Sequence, residues 1–211
     1  MTTFAPTPTD LMSDDLTMPR KQLRAQLRER RRAIPAAQRI AAAQSLAQRL
    51  LALPFAANGG HVAGYWAMDG EIALHVWQLR LSAGVTYCLP MLGDDDVLRF
   101  APWRAGAELV TNRYGIPEPA NTDDALPAEA MTMIVLPLVG FDAHGHRLGM
   151  GGGWYDRSLA FRHARASAPP WLVGVGFAAQ RVETLHAEAW DVTLDAVCTE
   201  THTHLPSASA A

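Results

Sequence analysis

The residues best suited to chemistry lie in one segment, RLGMGGGWYDR, which begins at Arg147. Four of the five positions from Gly149 to Gly153 are glycine, so exposed backbone N–H groups can turn around an anion. Arg147 and Arg157 can both donate to phosphate oxygens. Asp156 falls in the first turn of the helix expected next, where free N–H groups also favour phosphate. A carboxylate beside such a loop is a usual ligand of Mg²⁺, so the segment predicts a phosphate site with a metal ligand.

Other interpretations of the glycines are weaker. A flexible turn with an aspartate at the helix start would need fewer residues and no flanking arginines. A Walker loop needs Gly-Lys-Ser/Thr, and the only lysine of this chain is Lys21. Gly174 and Gly176 open a GxGxxA match, but the alternation of Val173, Val175 and the following residues predicts a strand there.

The helix predicted from residue 20 is strongly basic, and three interpretations of it stay open. Residues 20–39 hold eight Lys or Arg and one acid, Glu29. They could form a solvated charged face or contact nucleic acid. Alternatively Arg20 and Arg24, one turn apart, could fold back to neutralise a polyphosphate. The net charge of −3 argues against nucleic acid.

Aromatic residues and an acid follow the first predicted strand: Tyr65, Trp66, Met68 and Glu71. Aromatic rings can stack on a flat heterocycle while a carboxylate accepts its N–H donors. These residues could equally be core aromatics with an acid at the start of a helix. Tyr114 and Trp154 are further candidate platforms. Asp191 and Asp195 could be ordinary capping residues, or either could be a second acid near a metal. The histidines do not have the spacing of metal ligands.

Hydrophobic periodicity predicts the elements that must position these residues. Helices are expected at 20–34, 36–53, 71–84 and 154–166, with Ile40, Leu46, Leu50 and Leu53 as the apolar face of the second. Strands are expected at 61–67, 85–90, 97–103, 131–142, 171–179 and 195–199, and a loop at 111–119. Alternating strands and helices indicate an α/β fold: a single three-layer domain with a largely parallel central sheet flanked by helices. Ligands of such sheets bind beyond the carboxyl ends of the strands.

Composition narrows the class of protein. The 211 residues are 49% hydrophobic and 18% charged, which suits one globular domain at residues 20–200, between a flexible leader, 1–19, and a flexible tail, 201–211. The two cysteines predict neither disulfides nor a cysteine zinc site and suit a cytoplasmic protein. Residues 1–18 lack a signal-peptide pattern, and no apolar run suggests a membrane span.

Several motifs together resemble those of the 5-formyltetrahydrofolate cyclo-ligase family, also called methenyltetrahydrofolate synthetases. They are RKQLRAQLRERRRAI, YWAMDGEI, YGIPEP, LPLVGFDAHGHRLGMGGGWYDRSL and VGVGFAAQRVETLHAEAWDVTLDAVCTE. The resemblance runs from about Arg20 to Glu200. It implies ATP- and Mg²⁺-dependent cyclisation of 5-formyltetrahydrofolate through an iminophosphate, giving 5,10-methenyltetrahydrofolate, ADP and phosphate. Phosphoryl transfer of this kind needs positioning and charge stabilisation more than a protein nucleophile.

The resemblance also implies roles for individual residues. ATP contacts are implied for Arg20, Lys21, Arg24, Arg147, Leu148, Gly149, Met150, Gly151, Gly152, Gly153, Trp154 and Tyr155. Folate contacts are implied for Trp66, Glu71, Tyr114, Met150, Gly151, Gly152, Gly153 and Trp154. Asp156 and Asp191 are the implied Mg²⁺ ligands, and Arg147, Asp156 and Tyr155 the implied catalytic residues. The chain departs from the family pattern at Arg20, Met150, Gly152 and Trp154. These departures affect the expected affinity for nucleotide more than the expected reaction type.

Two rival functions remain at this point. One is a relative with isomerase-like or CoA-transferase-like architecture that kept the phosphate loop but binds no nucleotide. The other is a nucleic-acid-binding module that uses helix 20–39, with an affinity that depends steeply on salt. We expect a monomer that binds ATP and a reduced folate, with no nucleic acid and no membrane partner.

Overall fold

A computed structural model describes residues 18–165 and 168–206 of the chain. It begins with helix α1, Arg20–Arg32, and helix α2, Ala36–Leu51, with Pro35 capping the second helix. Leu46 and Leu50 of α2 are buried as predicted, but Ile40 is 72% exposed. The prediction was wrong for Ile40 because it lies six residues before Leu46, about 120° around the helix from the buried face.

Eleven strands follow among the described residues. They are β1 (Gly60–Ala63), β2 (Val85–Leu92), β3 (Leu98–Pro102), β4 (Leu109–Thr111), β5 (Pro117–Pro119), β6 (Met133–Pro137), β7 (Gly140–Phe141), β8 (Arg147–Leu148), β9 (Trp171–Val175), β10 (Ala196–Cys198) and β11 (Thr203–His204). Seven of them form the central sheet in the order β11-β10-β9-β6-β1-β2-β3. The five inner strands are parallel, and β3 and β11 are antiparallel edges. The largely parallel sheet of the prediction is confirmed.

The central sheet is buried on both faces, which explains its nearly continuous apolar strands. In β6, Met133 and Val135 pack in the same core cluster as Leu46 of helix α2. Ile134 and Leu136 point to the opposite cluster. Alternate residues of this strand are therefore buried in core clusters on opposite faces of the sheet. The α/β architecture predicted from the sequence is confirmed.

The predicted helix at 71–84 was wrong in extent, since only α3, His75–Gln78, is helical. Ile72 and Leu74 are both buried, and this two-residue spacing suits extended chain rather than a helix. The hydroxyl of Tyr65 donates to the carbonyl oxygen of Ile72 at 2.6 Å. This bond holds an irregular segment between β1 and α3, and β1 ends at Ala63 rather than at residue 67.

The predicted helix at 154–166 is likewise shorter. Helix α4 spans Trp154–Ser158, and a 3₁₀ turn follows at Ala160–His163. The hydroxyl of Ser158 donates back to the carbonyl oxygen of Trp154 at 2.6 Å and accepts the N–H of Leu98 at 2.7 Å. With only five residues, α4 contributes a small dipole to the glycine-rich loop.

Three further boundaries differ from the prediction. The expected loop at 111–119 is a short hairpin of β4 and β5, because the side-chain oxygen of Asn112 accepts the N–H groups of Tyr114 and Ile116. The expected strand 131–142 divides into β6 and β7, and the strand expected to reach 179 ends at Val175. β11 lies within the segment that was predicted to be the tail. The domain boundaries themselves stay predictions. Residues 1–17 and 207–211 lie outside the described residues.

Helix α1 lies beyond the carboxyl ends of the parallel strands. Leu23 and Leu27 pack against Val139 and Val182, which follow β6 and β9, and against Leu148, the last residue of β8. A Cβ on Gly140 would lie 2.5 Å from a methyl carbon of Leu27, so only glycine permits this approach. The basic helix thus covers the edge of the sheet where ligands of α/β proteins bind. No helix in the described ranges is long and apolar enough to cross a membrane.

Candidate active site

The glycine-rich loop joins β8 to α4 at this edge. Gly151 and Gly153 have φ of +95° and +70°, a region that other residues rarely adopt. The Nε of Arg24 donates to the carbonyl oxygen of Gly149 at 2.8 Å, and Arg157 donates to that of Gly152 at 2.9 Å. Two guanidinium groups therefore hold the loop. The side chain of Leu148 is buried in the core, whereas Met150 is 56% exposed.

Arg147 lies at the start of the loop with only 5% of its side chain exposed. It forms an ion pair with Asp156 and donates to the carbonyl oxygen of Val192. Burial lowers the pKa of Arg147, while the carboxylates of Asp156 and Asp191 act in the opposite direction. The structure therefore gathers both predicted metal ligands around this arginine.

The first turn of helix α1 completes that cluster. Nη1 of Arg20 lies 2.9 Å from a carboxylate oxygen of Asp191 and 3.2 Å from the carbonyl oxygen of His186. Arg24 lies one turn further along, where burial and the charge of Arg20 lower its pKa. Lys21 is exposed on the same helix. Arg24 thus contacts the glycine-rich loop, whereas Arg20 contacts the segment before β10, and neutralisation of a polyphosphate by the two stays a prediction.

Later arginines of α1 also point inward. The side chains of Arg28, Arg31 and Arg32 all contact the carboxylate of Asp69, and Arg31 is completely buried. The interpretation of this helix as a solvated charged face was therefore wrong for the buried Arg31, whereas the side chains of Arg28 and Arg32 are 32% and 55% exposed. Sequence reasoning also missed Asp69, although the three arginines lie three and four residues apart, a spacing that predicts one shared face.

Glu71 lies on the irregular segment after β1, with 12% of its side chain exposed. One carboxylate oxygen accepts the N–H of Met68 at 2.9 Å, and the other lies 3.4 Å from Arg31. Burial raises the pKa of Glu71, and the Met68 hydrogen bond and Arg31 partly offset this effect. The result is a nearly buried carboxylate that is only partly neutralised, which suits recognition of N–H donors.

An open, mostly apolar groove is formed in part by residues on both sides of Glu71 in the chain, although Glu71 itself does not line it. It is lined by residues that include Tyr65, Trp66, Leu74, Tyr87 and Trp103. Trp66 is 38% exposed and meets Trp103 edge to face, with ring centroids 5.9 Å apart. Such walls suit a flat heterocycle.

Tyr155, in the first turn of α4, is partly buried against the core cluster that includes Phe141 and Leu159. Desolvation and the nearby charge of Glu71 raise the pKa of Tyr155 far above its usual value. Its phenol therefore stays protonated near neutral pH and can donate a hydrogen bond. The same charge raises the pKa of Tyr65.

A second aromatic surface lies at the exit of the loop. The rings of Tyr114 and Trp154 meet edge to face at 6.2 Å. The guanidinium groups of Arg113 and Arg157 lie 5.3 and 5.1 Å from the Trp154 ring. The hairpin of β4 and β5 thus brings Tyr114 to the loop, although it is far from Trp154 in sequence. Arg113 is a residue that sequence reasoning missed.

Two further acids have structural partners outside the loop. The carboxylate of Asp195 accepts the N–H of Leu172 at 2.7 Å and pairs with Arg162, so it fastens β10 to β9. Nδ1 of His146 lies 2.8 Å from the buried carboxylate of Asp142. Across residues 18–165 and 168–206, no group of three or more His, Cys, Asp or Glu could hold a metal by itself.

Comparison with known proteins defines the class to which this architecture belongs. The model of the 5-formyltetrahydrofolate cyclo-ligase family matches residues 17–200, nearly the whole described domain. The chain belongs to that family and is an enzyme, a ligase, as the sequence motifs predict.

Individual relatives agree with the family match. The 5-formyltetrahydrofolate cyclo-ligase of Escherichia coli (strain K12) is 37% identical over 177 residues, covering 82% of this chain and 96% of the relative. That of Haemophilus influenzae is 35% identical over 183 residues, covering 84% and 96%. The solved structure of Aquifex aeolicus 5,10-methenyltetrahydrofolate synthetase is 26% identical, with a TM-score of 0.77, covering 92% of this chain and 96% of that one.

Proposed function

We propose that this ligase closes 5-formyltetrahydrofolate to 5,10-methenyltetrahydrofolate, using ATP and Mg²⁺ and releasing ADP and phosphate. The observation that carries the proposal is the position of helix α1. Its Arg24 reaches the glycine-rich loop at Gly149, and its Arg31 reaches Glu71. One helix therefore borders both an anion-binding loop and a carboxylate suited to a heterocycle.

The nucleotide phosphates are assigned to the loop. Arg147 and Arg24 flank it from different elements, and Arg20 and Lys21 extend the positive charge along α1. Positioned guanidinium groups stabilise the charge that develops on a transferring phosphoryl group, which is the main demand of this chemistry. Met150, Gly151 and Gly152 of the loop are exposed, and the following residues up to Tyr155 are partly exposed.

The carboxylates near Arg147 fit Mg²⁺. Asp156 and Asp191 offer hard oxygen donors, and each now pairs with an arginine of the loop region or of α1. Mg²⁺ is commonly held by one or two carboxylates together with substrate phosphates. When bound, the ion would neutralise phosphate charge, and these two residues would hold it.

The folate is assigned to the Glu71 side. Glu71 would accept N–H donors of the pterin ring, and Trp66 would stack on it in the neighbouring groove. Tyr114 and Trp154 offer a second aromatic contact next to the loop, so that the formyl oxygen can approach the phosphates. The protonated phenol of Tyr155, which directly follows the glycine-rich loop, would serve as a hydrogen-bond donor.

The deciding experiment is a spectroscopic assay of purified protein with 5-formyltetrahydrofolate. Appearance of the methenyl chromophore is expected only when ATP and Mg²⁺ are both present. A folded protein that binds ATP but gives no chromophore would require another acceptor for the phosphoryl group. A folded protein that gives no methenyl chromophore and also does not bind ATP would contradict the proposal.

A further inference from the structure

Asp69 is the meeting point of three arginines from the last turns of helix α1. Its carboxylate lies 2.9 Å from Arg28, 2.8 Å from Arg31 and 2.5 Å from Arg32. These hydrogen bonds lower the pKa of Asp69 to about 2 despite its partial burial. Three charge-assisted contacts on a single carboxylate indicate that its position is strongly fixed.

Arg31 links Asp69 to Glu71. This guanidinium is completely buried, so it needs a full set of acceptors. Its Nε donates to the backbone carbonyl of Asp69 at 3.0 Å, and its Nη1 lies 3.3 Å from the carbonyl oxygen of Leu138. The same Nη1 lies 3.4 Å from Glu71. The best-oriented donors are therefore directed to Asp69, and Glu71 receives only a long contact.

The backbone around Asp69 supports the same arrangement. Asp69 has φ of +51°, which few residues other than glycine, asparagine and aspartate adopt. Gly70 follows with φ of +81°. This turn brings the carboxylate of Glu71 back to the N–H of Met68. The direction of Glu71 thus depends on a turn that the arginines of α1 hold in place.

We propose that Asp69 is a positioning residue for Glu71, acting through the buried Arg31. By accepting the strong hydrogen bonds of Arg31, Asp69 keeps one oxygen of Glu71 available for N–H donors of the substrate. Without the Asp69 carboxylate, Arg31 would close on Glu71 in a tight ion pair, since a charge-assisted bond prefers about 2.8 Å. The inference rests on the proposed function, in which Glu71 binds the folate.

The first test is the Asp69→Asn variant, which keeps the shape of the side chain and tolerates the positive φ. We expect KM for 5-formyltetrahydrofolate to rise roughly ten- to a hundredfold, the range seen when partners that orient a ligating side chain are removed. KM for ATP should change less than about twofold. Asp95→Asn is the matched control, because Asp95 is exposed and pairs only with Arg99 among the described ion pairs.

A double-variant cycle separates positioning from general structural support. If Asp69 acts through Glu71, Asp69→Asn should add little to the folate KM of Glu71→Gln, so the two changes are strongly non-additive. Additive effects would overturn the inference, and so would an equal rise of both KM values in Asp69→Asn. Wild-type protein that does not convert 5-formyltetrahydrofolate would instead overturn the proposed function, and this inference with it.

Arg31→Lys keeps the inference testable if Asp69→Asn does not fold. A lysine retains the charge but lacks the planar fork that serves Asp69 and Glu71 together. The same selective rise in folate KM is expected, with the melting temperature and ATP affinity recorded for each variant. An unchanged folate KM in folded Arg31→Lys would overturn the proposal.

Discussion

Arg24 of helix α1 donates to the carbonyl oxygen of Gly149, 125 residues later in the chain, at 2.8 Å. The bond fastens the N-terminal half of α1 to the loop that we assign to the nucleotide phosphates. It also brings a second positive charge toward that loop, opposite the buried Arg147. Arg24 therefore has both a structural and an electrostatic connection to the proposed site.

Replacing Arg24 by Ala should weaken nucleotide binding. Hydrogen bonds to charged groups contribute about 1.5–3 kcal/mol, so we expect KM for ATP to rise roughly 10- to 100-fold. KM for 5-formyltetrahydrofolate should change much less. Steady-state kinetics with each substrate varied would measure both. Arg30→Ala on the same helix is the control, and an equal effect in both variants would contradict the role of Arg24.

Replacing Asp156 by Asn should remove metal-assisted turnover while the fold remains intact. The change takes away a proposed Mg²⁺ ligand and the partner of Arg147. We expect kcat to fall by roughly 10²–10³, the effect of losing one preorganised electrostatic group. A Mg²⁺ titration of activity and a thermal melt would check this. Turnover that retains its normal Mg²⁺ dependence would count against the metal assignment.

Folate binding should weaken as the pH falls. Burial raises the pKa of Glu71, so its carboxylate takes up a proton at a higher pH than an ordinary glutamate. Protonation replaces part of the acceptor capacity of the carboxylate with an O–H donor, so Glu71 would accept substrate N–H groups less well. Equilibrium binding of 5-formyltetrahydrofolate across the mildly acidic range would show the loss. Glu71→Gln should bind weakly at every pH tested, and a wild-type-like pH profile in that variant would refute the assignment.

Acid stability should depend on Asp69. Its pKa is lowered to about 2 in the folded protein, from 3.8. The stability that this carboxylate contributes is therefore present above about pH 4 and is lost as the pH falls toward 2. After allowance for solvent screening, we expect about 1–2 kcal/mol at neutral pH. Urea unfolding of Asp69→Asn and wild type should differ at pH 7 and converge near pH 2, unlike Asp95→Asn.

Much of the fold could be predicted because its signals are local or periodic. The apolar run of β6 indicates a strand buried on both faces, and Leu23 and Leu27 mark the buried side of α1. The glycines and arginines from Arg147 onward point to an anion loop before any contact is known. Helix ends were less predictable, because periodicity alone extended α3 and α4 well beyond the residues that are helical in the structure.

The parts of the site that could not be predicted depend on pairs distant in sequence. The contact of Arg31 with Asp69 spans 38 residues, and hydrophobic patterning cannot tell a buried arginine from a solvated one. The contact between Tyr114 and Trp154 arises from a hairpin formed by a segment that reads as a loop. Such pairings follow from the tertiary arrangement and leave only weak traces in local sequence.

The reach of helix α1 has a thermodynamic consequence. A helix that borders both proposed substrate regions would make their occupancies interdependent, because whichever ligand binds first would restrain the helix at one end. The second ligand then meets a partner that has already lost part of its conformational entropy. Linkage requires the effect to be mutual: each substrate should tighten the binding of the other by the same factor.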